Sequence, residues 1–242
     1  MCIQAAALAH EIDGRLVPRG ELSLVELGTE GAPVVVVESG RVVCHAGPHP
    51  FFFHPGMLRM RVMGGPNREP DPLLRALDLR TGDFVLDATV GRGGDAVMIA
   101  LAVGATGRVV GLEASGIIAA ITRLGLATYE EPDAAIREAM RRVHVIHANH
   151  ERYLASCREG SFDIVYFDPM FDRPLTHCPS IDPIRTIATH ETLSGEALLE
   201  AQRVARRRVV VKNRKGSDTL ESLGIHTIVG GRWSRVEYGV VE

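Results

Sequence analysis

Val85-Leu86-Asp87-Ala88-Thr89-Val90-Gly91-Arg92-Gly93-Gly94-Asp95-Ala96 passes from an apolar run through a glycine-rich turn into a helical pattern. Strand, glycine loop and helix in that order predict the first unit of a parallel sheet covered by helices. Working outward, β-branched runs recur at Phe84–Ala88, Arg108–Glu113, Arg142–Ala148, Phe162–Asp168 and Arg208–Lys212. Their near-continuous Val and Ile content suits strands buried on both faces. Helical patterns at 94–103, 115–128, 132–141, 150–156 and 191–206 lie between them. His226–Val229 and Arg235–Val241, joined by Gly230-Gly231-Arg232-Trp233-Ser234, read as a closing antiparallel hairpin. The expected fold is α/β, with a seven-stranded sheet.

Upstream, Glu21–Leu27, Val34–Glu38 and Arg41–His45 read as strands of a small β-meander, so residues 1–55 are expected to form a β-rich subdomain and 56–242 the main domain. Met57–Met63, with Arg59 and Arg61, is read as a connector closing over one end of the sheet. Asp71 and Pro72 start a short helix through Leu79, with Asp71 as N-cap.

Of the 242 residues, 45% are hydrophobic and 24% charged, which excludes a disordered or fibrous chain. No apolar window approaches the ~20 residues of a membrane span. The start of the chain lacks a basic n-region, and Cys2, Cys44, Cys157 and Cys178 show no C-x-x-C spacing. A cytoplasmic protein without a structural metal is therefore expected. The net charge of −3 means that any nucleic-acid partner must rest on local patches.

Gly91-x-Gly93-x-x-Ala96 fits a loose dinucleotide fingerprint, with Glu113 placed as its ribose-binding acid, so a nicotinamide-dependent oxidoreductase is one reading. Asp87 at the strand tip and Asp95 at the helix start turn it, because both repel a pyrophosphate. A cationic cofactor fits better. S-adenosylmethionine carries a sulfonium and an amino group for Asp87, and ribose hydroxyls for Glu113. Asn149 occupies the place of an adenine contact and is equally a natural helix cap. His144, His147 and His150 would not converge on a metal from a strand and its following loop.

Asp168-Pro169-Met170-Phe171 ends the fourth parallel run beside the same edge. Methyltransferases acting on base amines place an Asp/Asn-Pro-Pro-aromatic tetrad here, and this stretch resembles it. Asp168 and a neighbouring carbonyl would accept the amine hydrogens, Pro169 stiffens the turn, and Phe171 would stack on an extruded base. The alternative is a structural turn with Phe171 in the core. Residues 172–190 read as a substrate-facing lid in which Arg173 and Arg185 could meet phosphates. Arg203–Lys215 holds seven of the 27 basic residues and no acid. Helix-end charge explains Arg203, Arg206 and Arg207. Lys212, Arg214 and Lys215, with Arg59, Arg61 and Arg68, could instead form a basic rim for RNA.

From about Phe53 onward the chain resembles the bacterial small-subunit ribosomal RNA guanine-N2 methyltransferases, a class I (Rossmann-like) group. The resemblance is carried by Asp87-Ala88-Thr89-x-Gly91-x-Gly93-x-Asp95-Ala96, Leu112-Glu113, Ile146-His147-Ala148, Val165-Tyr166-x-Asp168-Pro169-Met170-Phe171 and Arg208-Val209-Val210-Val211-Lys212. It implies that the Asp87, Thr89, Gly91 and Gly93 loop, with Gly94, Asp95, Glu113, Ala114, Asn149, His150 and Asp168, meets S-adenosylmethionine. Catalysis is expected from Asp168, Pro169 and Phe171, and RNA contact from Phe171, Arg59, Arg61, Lys212 and Arg214. The pattern departs at Gly94, where the family has Arg, and at Asp172, where it has Pro. A methyltransferase of small molecules, or a non-catalytic assembly factor on the same scaffold, are the other readings.

Overall fold

Helix α1 (Cys2–Glu11) opens the chain where no element was expected; its run Ala5-Ala6-Ala7-Leu8-Ala9 has high helix propensity. The computed structural model describes residues 2–18, 20–28, 32–46, 49–64, 71–169, 187–188, 192–231 and 234–242. The segment read as the first strand, Glu21–Leu27, instead contains a single helical turn, α2 (Leu24–Leu27). The cause is a capping box: the Ser23 N–H donates to Glu26 Oε2 at 2.7 Å, and the Glu26 N–H donates to Ser23 Oγ at 3.3 Å. Strands β1 (Val34–Glu38), β2 (Arg41–His45) and β3 (Phe51–Phe52) then form an antiparallel sheet in that order. Two short helices follow, α3 (Leu58–Val62) within the connector and α4 (Pro72–Leu77), which Asp71 caps through the Leu73 N–H at 3.0 Å.

The main sheet contains β4 (Phe84–Asp87), β5 (Arg108–Glu113), β6 (Val143–His147), β7 (Phe162–Phe167), β8 (Ala205–Arg214), β9 (Thr227–Gly230) and β10 (Val236–Val241). Its order is β6-β5-β4-β7-β8-β10-β9. β4 pairs in parallel with β5 on one side and β7 on the other, while β10 runs antiparallel to both β8 and β9. This is the Rossmann-like arrangement expected. The connections diverge from β4, so the crevice for a ligand lies at the C-terminal tips of β4, β5 and β7.

Helices α5 (Gly94–Val103), α6 (Gly116–Thr128), α7 (Ala134–Arg141), α8 (His150–Ser156) and α9 (Gly195–Val204) cover the sheet, and a last turn, α10 (Thr219–Ser222), follows β8. Alternation along the strands separates two cores. Val85, Ile164, Tyr166 and Val210 face α5 and α7, whereas Leu86, Val165, Phe167, Val209 and Val211 face α8 and α9. The helix expected over 191–206 ends at Val204, and the chain passes directly into β8. Arg206 and Arg207 are thus strand residues, not helix-end charges. No helix among the described residues is long and apolar enough to cross a membrane.

The small sheet docks on α6 through a shared cluster of Val42, Cys44, Phe51, Ile118 and Ile121, which α1 joins through Leu8. Phe53 follows that sheet and packs against Gly125 of α6. A Cβ at Gly125 would fall 1.9 Å from Phe53 Cγ and 2.2 Å from its Cβ, the rigid end of the side chain. Alanine there gains about 1 kcal/mol of helix propensity against an overpacking cost of about 1–3 kcal/mol. Gly125→Ala is expected to lower Tm by a few degrees in a thermal melt, and to cost less when the same change is made in a Phe53→Ala background.

Candidate active site

Asp87 closes β4 and is buried, 1% exposed, accepting the Thr89 N–H at 3.2 Å. Burial, followed by the charge of Asp95, pushes its carboxyl well above the ordinary 3.8. The loop beyond it turns through Gly91 (φ 51°) and Gly93 (φ 77°), a backbone region that favours glycine. Three contacts hold the loop. The Val90 N–H donates to the Leu112 carbonyl at 2.8 Å, and Thr122 Oγ1 donates to the Gly91 carbonyl at 2.7 Å. Gly111 admits Val90 so closely that a Cβ would lie 2.6 Å from Val90 Cγ2. At Gly94 a Cβ would meet nothing within 4 Å, so the start of α5 faces open space.

Glu113, at the tip of β5, accepts the Ser115 N–H at 2.8 Å and also the backbone N–H groups of Gly91 and Ala114. Burial nonetheless raises its carboxyl above 4.5. Asn149 caps α8 by accepting the Arg152 N–H at 3.0 Å, the capping role that the sequence left beside an adenine contact. His150 is buried with its ring edge-on to Phe167, and His147 Nε2 lies 3.1 Å from the Ala114 carbonyl.

Asp95, in the first turn of α5, is the centre of an ionic network. Arg61 Nη1 donates to Oδ1 at 2.5 Å; Tyr166 Oη and Lys212 Nζ donate to Oδ2 at 2.8 and 3.0 Å. Arg61 reaches back to Asp71 through Nε at 2.9 Å and Nη2 at 3.1 Å. Lys212 reaches forward to Asp168 Oδ2 at 2.7 Å. The Asp168 N–H donates to Thr89 Oγ1 at 2.5 Å, tying the tip of β7 to the glycine loop. Burial acts to raise the Asp95 carboxyl, but Lys212 and Arg61 overcome it and hold Asp95 below the carboxylate range. At Asp168 burial prevails, and its carboxyl lies above 3.8 although Lys212 opposes the rise. The Asp168 side chain is 31% exposed against 12% for Asp95, so of these two carboxylates Asp168 is the one within reach of a ligand.

Arg61 and Lys212, expected on an RNA-facing rim, are therefore bound into this network. Arg59 is exposed, its Nε 3.4 Å from Met63 Sδ, and Arg214 ends β8. The other basic residues of 203–208 are also engaged. Arg203 donates to the Leu154 and Cys157 carbonyls at the end of α8; Arg206 pairs with Asp163, Arg207 with Asp83, and Arg208 with Glu242 and Asp78. Arg206–Arg208 sit where β8 begins, at the edge of the parallel sheet opposite the glycine loop. Phe171, Met170, Arg68, Arg173, Arg185 and most of the proposed lid lie outside the described residues. Among the described residues, no group of three or more His, Cys, Asp or Glu side chains could hold a metal ion. Sequence reasoning missed Tyr166, Asp71 and the inward role of Arg61; the alternation that puts Tyr166 on the α5 face was the one available signal.

A ligand entering this edge meets Asp87 and Glu113 at two strand tips, Asp168 at a third, and bare backbone at Gly91, Gly93 and Gly94. Such a donor set repels pyrophosphate and suits a cation that also carries hydroxyl groups. A family model described as a putative SAM-dependent methyltransferase matches residues 51–238. The chain is 36% identical over 192 residues to the uncharacterized protein YpiP of Bacillus subtilis, covering 79% of this chain and 74% of that one. It is 34% identical over 146 residues to the ribosomal RNA small subunit methyltransferase J of Laribacter hongkongensis, covering 58% of this chain but only 50% of that relative's length. A SAM-dependent methyltransferase from Neisseria gonorrhoeae superposes with a TM-score of 0.66 over 98% of this chain and 90% of its own; at 16% identity this likeness shows the fold alone. The oxidoreductase reading of the glycine spacing is set aside by the family match.

Asp87 is a buried acid kept without a cation in hydrogen-bond contact among the described residues, an arrangement that lowers stability wherever it is ionised. Asp87→Asn is expected to raise the Tm of the ligand-free protein at neutral pH, by roughly 1–2 kcal/mol in stability. The advantage should shrink as pH falls through the raised Asp87 value toward 3.8, because the wild-type acid then takes up its proton. The same variant should bind S-adenosylhomocysteine about 10- to 100-fold more weakly by calorimetry.

Proposed function

Because the chain belongs to the family of putative SAM-dependent methyltransferases, which use S-adenosylmethionine, we propose that it methylates an exocyclic base amine, guanine N2 of small-subunit ribosomal RNA. The observation that carries this reading is Asp168 itself. It is a partly exposed carboxylate at the tip of β7, tied to Thr89 and Lys212 and followed by Pro169.

In this proposal Asp87 receives the amino group of the cofactor and Glu113 its ribose hydroxyls. The bare backbone at Gly91, Gly93 and Gly94 admits its methionyl part, while Ala114, Asn149 and His150 border the adenine. Bound there, S-adenosylmethionine supplies a methyl group on a sulfonium centre and leaves as S-adenosylhomocysteine. The chain's own contribution is positioning and charge. The lone pair of a base amine is delocalised into its ring, which makes the nitrogen a weak nucleophile. Asp168 and the adjacent carbonyl accept the two N–H groups, aim the nitrogen and stabilise the positive charge that develops on it. Phe171 stacks on the extruded base.

The similarity to the Laribacter ribosomal RNA methyltransferase supports the ribosomal substrate, as does the Asp-Pro-Met-Phe tetrad. The chain spans about half of that relative's length, so the substrate belongs to the proposal and not to the match. The pairing of Arg206, Arg207 and Arg208 with acids favours a second reading, a small amine-bearing substrate, because it leaves a smaller phosphate footprint than the sequence suggested. We assign residues 1–55 to a subdomain braced on α6 and the protein to the cytoplasm.

Saturating S-adenosylhomocysteine is expected to stabilise the protein by about 2.7 kcal/mol at a hundred times its Kd, read as a rise in Tm. Mass spectrometry of undermodified small-subunit particles, incubated with the protein and S-adenosylmethionine, should find one new N2-methylguanine. Asp168→Ala should lower that turnover by roughly 100-fold or more while the thermal shift persists. Methylation of free nucleosides but not of particles would support the small-substrate reading.

A further inference from the structure

We propose that Lys212 is a positioning residue for Asp168, fixing its Oδ2 and keeping the carboxylate ionised so that Oδ1 can accept from the substrate amine. The inference rests on the amine-methylation reading above and gives it a second residue, on a different strand.

The geometry is that of a cation set between two carboxylates. Lys212 Nζ lies 2.7 Å from Asp168 Oδ2 and 3.0 Å from Asp95 Oδ2. Asp95 is itself held from the far side by Arg61 and from β7 by Tyr166. The ammonium is thus anchored on a carboxylate that cannot swing away, and Asp168 is anchored on the ammonium. Its N–H bond to Thr89 Oγ1 fixes the backbone of the same residue. Lys212 can occupy this point because β8 lies beside β7 in parallel register, Phe167 opposite Val211, which brings Lys212 level with Asp168.

Charge makes the position matter. Burial and the neighbouring Asp95 both favour a protonated Asp168, and Lys212 opposes them. Removing the ammonium would leave Asp95 facing Asp168 with Arg61, among the described residues, to balance them. A protonated Asp168 loses an acceptor and its charge. Methylation also leaves the nitrogen with a surplus proton, which an ionised Asp168 can take and pass to water, and a protonated one cannot. Tyr238, opposite Lys212 on β10, faces the same cluster, and burial holds its phenol protonated. Among the described residues, Asp87, Asp95, Arg61, Lys212 and Tyr166 are the titratable groups bearing on the carboxylate, with Asp71 and Tyr238 against the same network.

The test compares Lys212→Met and Lys212→Arg with the wild type. One readout is the pH profile of particle methylation; the other is the Asp168 side-chain carboxyl carbon, titrated by 13C NMR in the ligand-free protein. In Lys212→Met the acid limb of kcat/KM and the Asp168 titration should both move up by about 1 to 3 pH units, the effect of losing an adjacent opposite charge. Lys212→Arg should restore most of both. An unmoved Asp168 titration in a folded Lys212→Met protein overturns the proposal, as does an arginine variant as defective as the methionine one. Should Lys212→Met fail to fold, Lys212→Gln is titrated in its place under the same criteria. A shifted titration in a protein that methylates no particle leaves the role of Lys212 standing and overturns the ribosomal substrate instead.

Discussion

Everything at the ligand edge depends on one buried carboxylate, Asp95, and on the three donors that satisfy it. A desolvated charge in the first turn of α5 gains from the helix N-terminus, but that gain is small beside the penalty of burial. Arg61, Lys212 and Tyr166 meet the penalty from three separate elements: the connector helix α3, strand β8 and strand β7. Because each bond spans a long stretch of sequence, the network acts as a clamp. It fixes α3 over the end of the sheet, and through Asp71 it also fixes the start of α4. Loss of Arg61 or Lys212 would leave a buried charge uncompensated and loss of Tyr166 an acceptor unmet, which is why such networks tend to fail as units.

The fold was legible because its signals are local and repeated. Five β-branched runs, a glycine loop after the first and a closing hairpin specify a doubly covered sheet with little ambiguity. The first 30 residues were not, because short-range hydrogen bonding there competes with alternation. Ser23 and Glu26 cap one another, and that reciprocal pair turns a strand-like stretch into a helical turn. The helix over 195–204 was placed correctly at its centre but not at its end. Val204 is the last residue that can pack on β7 and β8, and Ala205 already adopts extended backbone.

At the candidate site the sequence marked the acids and misjudged the bases. Glycines and strand-tip acids follow a local pattern, so Asp87, Asp95, Glu113 and Asp168 could be read from their neighbours in the chain. The partner of a basic side chain is decided by tertiary packing between distant segments. Arg61 and Asp95 are 34 residues apart and Arg207 and Asp83 124 apart, separations across which no motif spans both members. Five of those seven basic residues, Arg203, Arg206, Arg207, Arg208 and Lys212, thus end in separate ion pairs. The net charge of −3 is a poor guide for the same reason: much of the positive charge near β8 is answered on the spot.

What remains after those pairings is a graded set of acids at the proposed cofactor site. Asp95 has two cations in contact and is held ionised; Asp168 has one and is raised; Asp87 has none in contact among the described residues and is raised furthest from solvent, at 1% exposure. Environments that push neighbouring carboxyls apart in this way divide the work among them. Asp95 is bound to the protein's own cations and serves the fold. Asp168, half-satisfied and reachable, suits a neutral amine that becomes positive only during reaction. Asp87 is the acid whose burial the protein does not balance by itself, so a bound ligand that brings a positive charge would relieve it. If the proposed cofactor amino group sits there, the stability lost at Asp87 in the ligand-free chain would be a source of its affinity, and the two quantities should vary together across substitutions at that position.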